Sequence, residues 1–246
     1  MKHSESVLLE FYRLLAEGAQ SPIQKNDTYS CLSVPSSLYP NFLFRPVLNA
    51  ANAKTVLDEI KTKIEIGFPS VMICSLTDTN LETTQLLEKQ SAYGKFWTAM
   101  TLDLELLKAP KTNLRLRIEL IENENQLKEW TKIVGVALTG DGIDENIFYR
   151  MSKQDNAFFY LAYIDDVPVA TSLIIQKEDE VGVYLIATLE QFRKKGIGKF
   201  ITAYSLWKAK EAGARLAHLQ ATELGKAVYQ SIGFEIMGKV PVFKIV

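Results

Sequence analysis

The chain has 246 residues, 47% apolar and 23% charged, a balance that predicts a globular protein with a sizeable core and argues against disorder. Lys and Arg number 28 against 29 Asp and Glu, for a net charge of -1, so no global basic field draws the chain onto nucleic acid. Two cysteines, Cys31 and Cys74, are too few and too far apart for a disulfide scaffold or a metal site. Reduced thiols in a cytoplasmic protein without a metal are therefore expected. No apolar run approaches the roughly 20 residues of a membrane span, so no membrane partner is expected.

The first half alternates helical and strand patterns. Apolar positions at Leu8, Leu9, Tyr12 and Leu15 predict a helix over 5–17 that ends near Gly18. Residues 20–40 are rich in Ser, Pro and Asn and read as an irregular loop. Leu43 to Leu48 is strand-like, with Pro46 at its end. Asn52 to Ile66 places Val56, Ile60 and Ile64 on one helical face. A buried strand over 70–75, a helix from Leu81 to Gln90 and an alternating strand from Phe96 to Leu104 follow.

The polar, proline-bearing stretch 105–113 predicts a boundary between a first domain over 1–112 and a second over 113–246. The second opens with a half-buried strand over 114–120. Asn123 is positioned to N-cap a helix reaching Ala137, and a short helix is predicted over Glu145 to Met151. Strands over 158–164 and 169–176 form a hairpin about Asp165-Asp166. Val181 to Ala187 is nearly all apolar, a strand covered on both faces. The predicted class is α/β with a mixed sheet.

After that strand comes Arg193-Lys194-Lys195-Gly196-Ile197-Gly198-Lys199. A helix follows, on which Ile197, Phe200, Ile201, Tyr204 and Trp207 make an apolar stripe, and Gly213 ends it. The first amides of a helix lack internal partners and its dipole is positive there. Glycines let an anion approach the backbone closely. The turn is thus an anion cradle suited to a pyrophosphate. A dinucleotide fingerprint would need glycine at Ile201, and a P-loop would need Ser or Thr at Phe200.

The remaining pattern, Arg-x-x-Gly-x-Gly, resembles the acetyl-CoA loop of the GNAT superfamily. Downstream, a strand over 216–221 leads to Thr222 through Glu235, where Val228-Tyr229 and Gly233-Phe234 resemble that superfamily's closing signature. The joint match covers 181–235, and the element order of 114–246 is like a GNAT domain. The first half lacks such a loop, yet its strand–helix–strand over 71–104 resembles a closing GNAT unit. A tandem GNAT fold with a degenerate N-terminal copy is therefore expected, the alternative being an unrelated α/β cap.

The resemblance implies an acetyl-CoA-dependent N-acetyltransferase that passes the acetyl group directly to an amine-bearing acceptor, as a monomer or homodimer. Ile186, Ala187 and Thr188 would hold the pantetheine arm through their backbone. Arg193, Lys194, Lys195, Gly196, Ile197, Gly198 and Lys199 would hold the pyrophosphate. A backbone N–H near Ile186 would polarise the thioester carbonyl. Tyr229 matches the acid that serves the leaving thiolate. Two departures stand out. Thr222 replaces an asparagine that many relatives use toward the cofactor, and the strand before the cradle lacks their basic glutamate. A water, Glu190, Glu223 or a residue of the first half is left as base, and His218 reads as structural. The missing base also leaves open a non-catalytic CoA-binding or regulatory module, and a longer acyl-CoA is a third possibility.

Overall fold

The first helix, α1 (Lys2–Ala19), is longer than its apolar pattern. It is followed by two short strands, β1 (Gln24–Lys25) and β2 (Ser30–Leu32), inside the stretch expected to be irregular. Strand β3 (Phe42–Phe44) stops at Arg45, which has φ 52° and precedes Pro46. Then come α2 (Ala53–Ile64), β4 (Val71–Ile73), α3 (Leu81–Gln90) and β5 (Ser91–Asp103). The computed structural model describes residues 2–34, 37, 39–74, 81–112, 115–140 and 142–246. Ser75, at the end of one predicted strand, and Asn113 and Leu114, at the predicted boundary, lie outside the described residues.

The second half supplies β6 (Leu116–Leu120), α4 (Glu124–Val134), α5 (Glu145–Met151), β7 (Ala157–Ile164), β8 (Val167–Lys177) and β9 (Glu180–Thr188). It continues with α6 (Ile197–Glu211), β10 (Leu216–Ala221), α7 (Glu223–Gln230) and β11 (Glu235–Ile245). Asn123 caps α4 as its position predicts, its side chain accepting from the Gln126 amide. The helix then loosens into a π-helical turn, Gly135–Thr139. Asp165 and Asp166, both at positive φ, make the tight turn of the β7–β8 hairpin.

Among the described residues the strands form one sheet in the order β1-β2-β3-β4-β11-β5-β10-β9-β8-β7-β6. The two halves therefore do not own separate sheets. β5 of the first half pairs antiparallel with both β10 and β11, and β11 of the second half lies between β5 and β4. Parallel pairs occur at β3–β4 and at β9–β10.

Alternating residues of β8 and β9 feed two cores. On one face Leu173, Ile175 and Tyr184 pack with Phe11 and Leu15 of α1, Trp130 of α4 and Phe148 of α5. The Phe11 and Tyr184 rings stack 4.0 Å apart at 10°, which fixes a first-half helix on a second-half strand. On the other face Ile174, Val181 and Val183 meet Ile197, Ile201 and Leu206 of α6. This corrects the predicted stripe on α6. Ile197 and Ile201 do face the sheet, but the buried row continues through Ser205 and Ala209, while Phe200, Tyr204 and Trp207 flank it half-buried. A buried hydrogen bond of 2.9 Å between the Ser172 and Ser205 hydroxyls satisfies the polar members of that row.

Candidate active site

The site begins where β9 and β10 part. They pair in parallel only from Glu180↔Leu216 to Gly182↔His218. Beyond that register β9 stays with β8 and β10 stays with β5, so a wedge opens between them. His218 lies at the last paired position, buried, 3.6 Å from the buried Glu180 carboxylate, at the closed end of the wedge.

At the open end β9 carries a bulge. Leu173 pairs with Tyr184 and Thr171 with Ala187, so Leu185 and Ile186 share the single position of Ser172. Leu185 has φ 49°, a left-handed conformation that costs a non-glycine residue of order 1–3 kcal/mol and tends to mark functional sites. The Thr171 hydroxyl holds it by donating to the Leu185 carbonyl at 2.9 Å. Of the predicted pantetheine positions, Ile186 is half-buried in the bulge. Ala187 is buried and Thr188 half-buried, both back in register with β8.

The cradle follows directly. A 3-10 turn over Glu190–Phe192 and an extended Arg193 lead into Lys194 at φ 61° and Gly196 at φ 79°, two left-handed residues that turn the backbone into the start of α6. Gly196 caps α6 without a side-chain bond. The Phe200 amide makes the first helical bond, to the Gly196 carbonyl at 3.0 Å, so the amides of Ile197, Gly198 and Lys199 precede the helical ladder. Lys194, Lys195 and Lys199 are exposed. The Arg193 guanidinium has a structural task as well: it donates to the Thr188 carbonyl at 3.0 Å and to the Ala137 carbonyl at 3.3 Å. It thereby clamps the cradle to the end of β9 and to the π-helical turn.

Tyr229 lies on α7, which packs against β10 and β5. Its ring meets Phe234 edge-on, centroids 6.0 Å apart, and folds back over Gly225, where a Cβ would come within 2.9 Å of the ring. Gly225 is thus a close-approach glycine that the sequence reading passed over, although its spacing of four residues from Tyr229 places the two on one helical face. Burial pushes the Tyr229 hydroxyl up to about 12. Thr222 is the N-cap of α7 but makes no side-chain cap bond, and its carbonyl accepts from Gly225 and Lys226. Glu223 in the first turn and Glu190 before the cradle are exposed. Tyr184, the polar side chain on this stretch of β9, is buried and stacked on Phe11 of α1, with its hydroxyl held well above its usual range by desolvation. Among the described residues no cluster of three His, Cys, Asp or Glu side chains is placed to hold a metal ion. None of their helices is long and apolar enough to cross a membrane.

A bulged strand, a wedge, a glycine-capped turn and a tyrosine on the following helix are the features in which the chain resembles the GNAT superfamily, and comparison with known proteins points to the same fold. The acetyltransferase (GNAT) domain model matches residues 155–236. A GCN5-related N-acetyltransferase from Kribbella flavida superposes with a TM-score of 0.73 at 17% identity, over 98% of this chain and 95% of that one. A GCN5-related N-acetyltransferase from Sphaerobacter thermophilus gives 0.65 at 12% identity, over 89% and 80%. A functionally unknown conserved protein from Staphylococcus epidermidis gives 0.64 at 14%, over 91% and 93%. No curated protein matches the chain in sequence. The match to the acetyltransferase (GNAT) domain model is thus confined to 155–236, while the fold that the chain shares with these structures extends over nearly its whole length.

Proposed function

We propose that the chain is an acetyl-CoA-dependent N-acetyltransferase acting on an amine-bearing acceptor. The observation that carries this reading is the wedge: β9 and β10 separate next to a bulge, and the cradle stands at the end of the separated strand. Acetyl-CoA supplies a thioester, so transfer makes a C–N bond, breaks the C–S bond, removes one proton from the amine and releases a thiolate.

The chain's own groups fit these needs. The amides of Ile197, Gly198 and Lys199, with Lys194, Lys195 and Lys199 around them, suit a pyrophosphate. The strand edge from Ile186 to Thr188, left unpaired by β10, suits the amide-bearing pantetheine arm, and an amide at the bulge suits the developing oxyanion. Tyr229 acts on the leaving sulfur as a hydrogen-bond donor. At about 12 its hydroxyl stays protonated throughout the physiological range. Complete transfer of its proton to the leaving thiolate is uphill, because a thiol is a stronger acid than this buried hydroxyl. Burial keeps the hydroxyl protonated, which suits Tyr229 to stabilise the thiolate by donating a hydrogen bond.

We read the first half as a degenerate copy that walls the acceptor side. Its run β3-α2-β4-α3-β5 repeats the order β9-α6-β10-α7-β11, each with a parallel first pair. The test is acetyl-CoA turnover across a panel of amines. Tyr229→Phe is expected to lower kcat about tenfold to a hundredfold with donor affinity unchanged. Unchanged kcat rejects the role of Tyr229, and donor binding without turnover of any amine favours a CoA-binding module instead.

A further inference from the structure

The stretch between the halves, which reads in sequence as a mere boundary, packs along α6. Leu104 and Leu107 are buried. Lys210, near the end of α6, donates to the Glu105 carbonyl at 3.0 Å and the Leu107 carbonyl at 3.1 Å, and the Leu104 amide donates to the Arg215 carbonyl at 2.8 Å. So anchored, residues 107–112 run beside the helix toward its start. There they enclose, with Lys195, Gly196, Lys199 and Phe200, a cavity of 610 Å³ closed by Ser231 and Ile232 after α7.

Its charge is one-sided. Lys108 and Lys111 from the linker face the same space as Lys195 and Lys199 from the cradle, and no carboxylate lines it. This occurs in a chain whose overall charge is -1. None of the four lysines takes part in an ion pair among the described residues. Like charges brought together without counter-charges destabilise the empty protein, and an anionic ligand relieves that repulsion. The cavity is of a size that takes a nucleotide-sized ligand, with the Phe200 ring on one wall as an apolar surface. It lies on the linker side of the cradle, beyond the amides assigned to the pyrophosphate.

We infer that the linker is a wall of the donor site, and that Lys108 and Lys111, together with Lys195 and Lys199, bind the 3′-phosphate at the nucleotide end of the donor. This rests on the donor reading above and adds a specificity to it. A 3′-phosphate carries close to two negative charges at neutral pH, and the pocket distinguishes a donor that has it from one that lacks it.

The experiment is calorimetric titration of the full chain with acetyl-CoA and with acetyl-3′-dephospho-CoA. The wild type is expected to bind acetyl-CoA about tenfold or more tightly over the dephospho form. In Lys108→Gln/Lys111→Gln that ratio falls toward one because acetyl-CoA weakens while the dephospho form stays within about twofold. Lys108→Arg/Lys111→Arg keeps the preference. The four side chains are exposed, so melting temperatures should stay within about 2 °C of wild type. Equal wild-type affinity for both donors overturns the inference, and so does equal weakening of both donors in the glutamine variant. Binding of neither donor by the wild type is a different failure, that of the donor reading itself.

Discussion

The two halves present the same local problem at two places and solve it differently. In each, a strand of a parallel pair runs into a loop and then a helix: β3 into α2, and β9 into α6. Before α6 the helix cap is a left-handed glycine with no side-chain bond, and three amides stand ahead of the helical ladder. Before α2 the loop fills itself. The Asn49 side chain accepts from the amides of Ala51 at 2.9 Å and Asn52 at 3.1 Å, and the Asn52 side chain accepts from the Asn49 amide at 2.8 Å. Asparagine closes its own turn by such bonds, and amides committed inward are not available to a phosphate. The same strand–loop–helix order thus leaves three amides open before α6, whereas before α2, whose Asn52 cap likewise makes no side-chain bond to its helix, the loop amides of Asn49, Ala51 and Asn52 are bonded within the loop. The difference lies in two or three side chains, not in the fold.

The halves share their last strands, and that sharing predicts the largest effect. Met100 sits on β5, 1% exposed, opposite Leu219 of β10 and Ile236 of β11. Met100→Ala is expected to cost about 2–5 kcal/mol and to lower the stability of both halves in one transition. Far-UV circular dichroism and tryptophan fluorescence during urea unfolding should report coincident midpoints. Two separated transitions would show that the halves unfold independently despite the exchange.

Next in size is a paired substitution in the two loops. An alanine Cβ at Gly198 would meet nothing closer than the Thr188 hydroxyl at 3.4 Å, an ordinary contact. The protein therefore tolerates a small side chain there, and any loss reports on the ligand. Gly198→Leu is expected to weaken donor binding about a hundredfold, Gly198→Ala by less, and Ala51→Leu in the first-half loop not at all. An effect of Ala51→Leu equal to that of Gly198→Leu would remove the distinction between the loops.

Much of the second half was legible in the sequence because its signals are local. The Asn123 cap, the Asp165-Asp166 hairpin and the cradle glycines are each set by a few adjacent residues. The rest depends on non-local pairing. β11 escaped the pattern because Gly238 and Pro241 interrupt its alternation and a bulge at Met237 shifts its register; Pro241 fits because it lies opposite the end of β4, where only its carbonyl is used, by the Cys74 amide. The inner face of α6 was misread because Thr202, Ser205 and Ala209 are buried without being apolar signposts. The exchange of β5 and β11 has no signature in either strand alone. At the site, Lys194 through Lys199 stood out, whereas Thr171 acts from a neighbouring strand and Arg193 only appears as a clamp once Ala137 is beside it.

A smaller effect separates catalysis from binding inside the second half. Gly225→Ala forces the Tyr229 ring to move, since the new Cβ would lie 2.9 Å from it. The expected result is a fall in kcat of about tenfold, with the donor dissociation constant within about twofold. Helix propensity favours alanine over glycine by about 1 kcal/mol, so stability should not fall with the rate. A parallel loss of stability would mean that the glycine serves packing alone and not the placement of Tyr229.

The smallest effect tests how much charge contributes where α1 meets the second half. It opens the first half in sequence, yet Glu10 accepts from Asn156 at 2.8 Å, and Arg150 donates to the Gly18 carbonyl at 2.5 Å. Arg13, chiefly through its hydrogen bonds, holds the Glu10 carboxyl below its ordinary value of 4.5 against the opposing effect of burial, with Asn156 helping. A carboxyl depressed in the folded state stabilises the protein above its unfolded value, and that contribution disappears as pH falls through the folded value. Acidification from pH 6 to pH 3 should therefore weaken the wild type more than Glu10→Gln, which keeps an acceptor for Asn156 but carries no charge. The difference should be a fraction of a kcal/mol, since Arg13 is solvent-screened, and it is readable as a shift in urea midpoint. If the two proteins respond to acid identically, the Glu10 charge adds nothing to stability, and α1 is held on the second half by the Phe11–Tyr184 stack, the apolar core around it and the hydrogen bonds of Asn156 and Arg150.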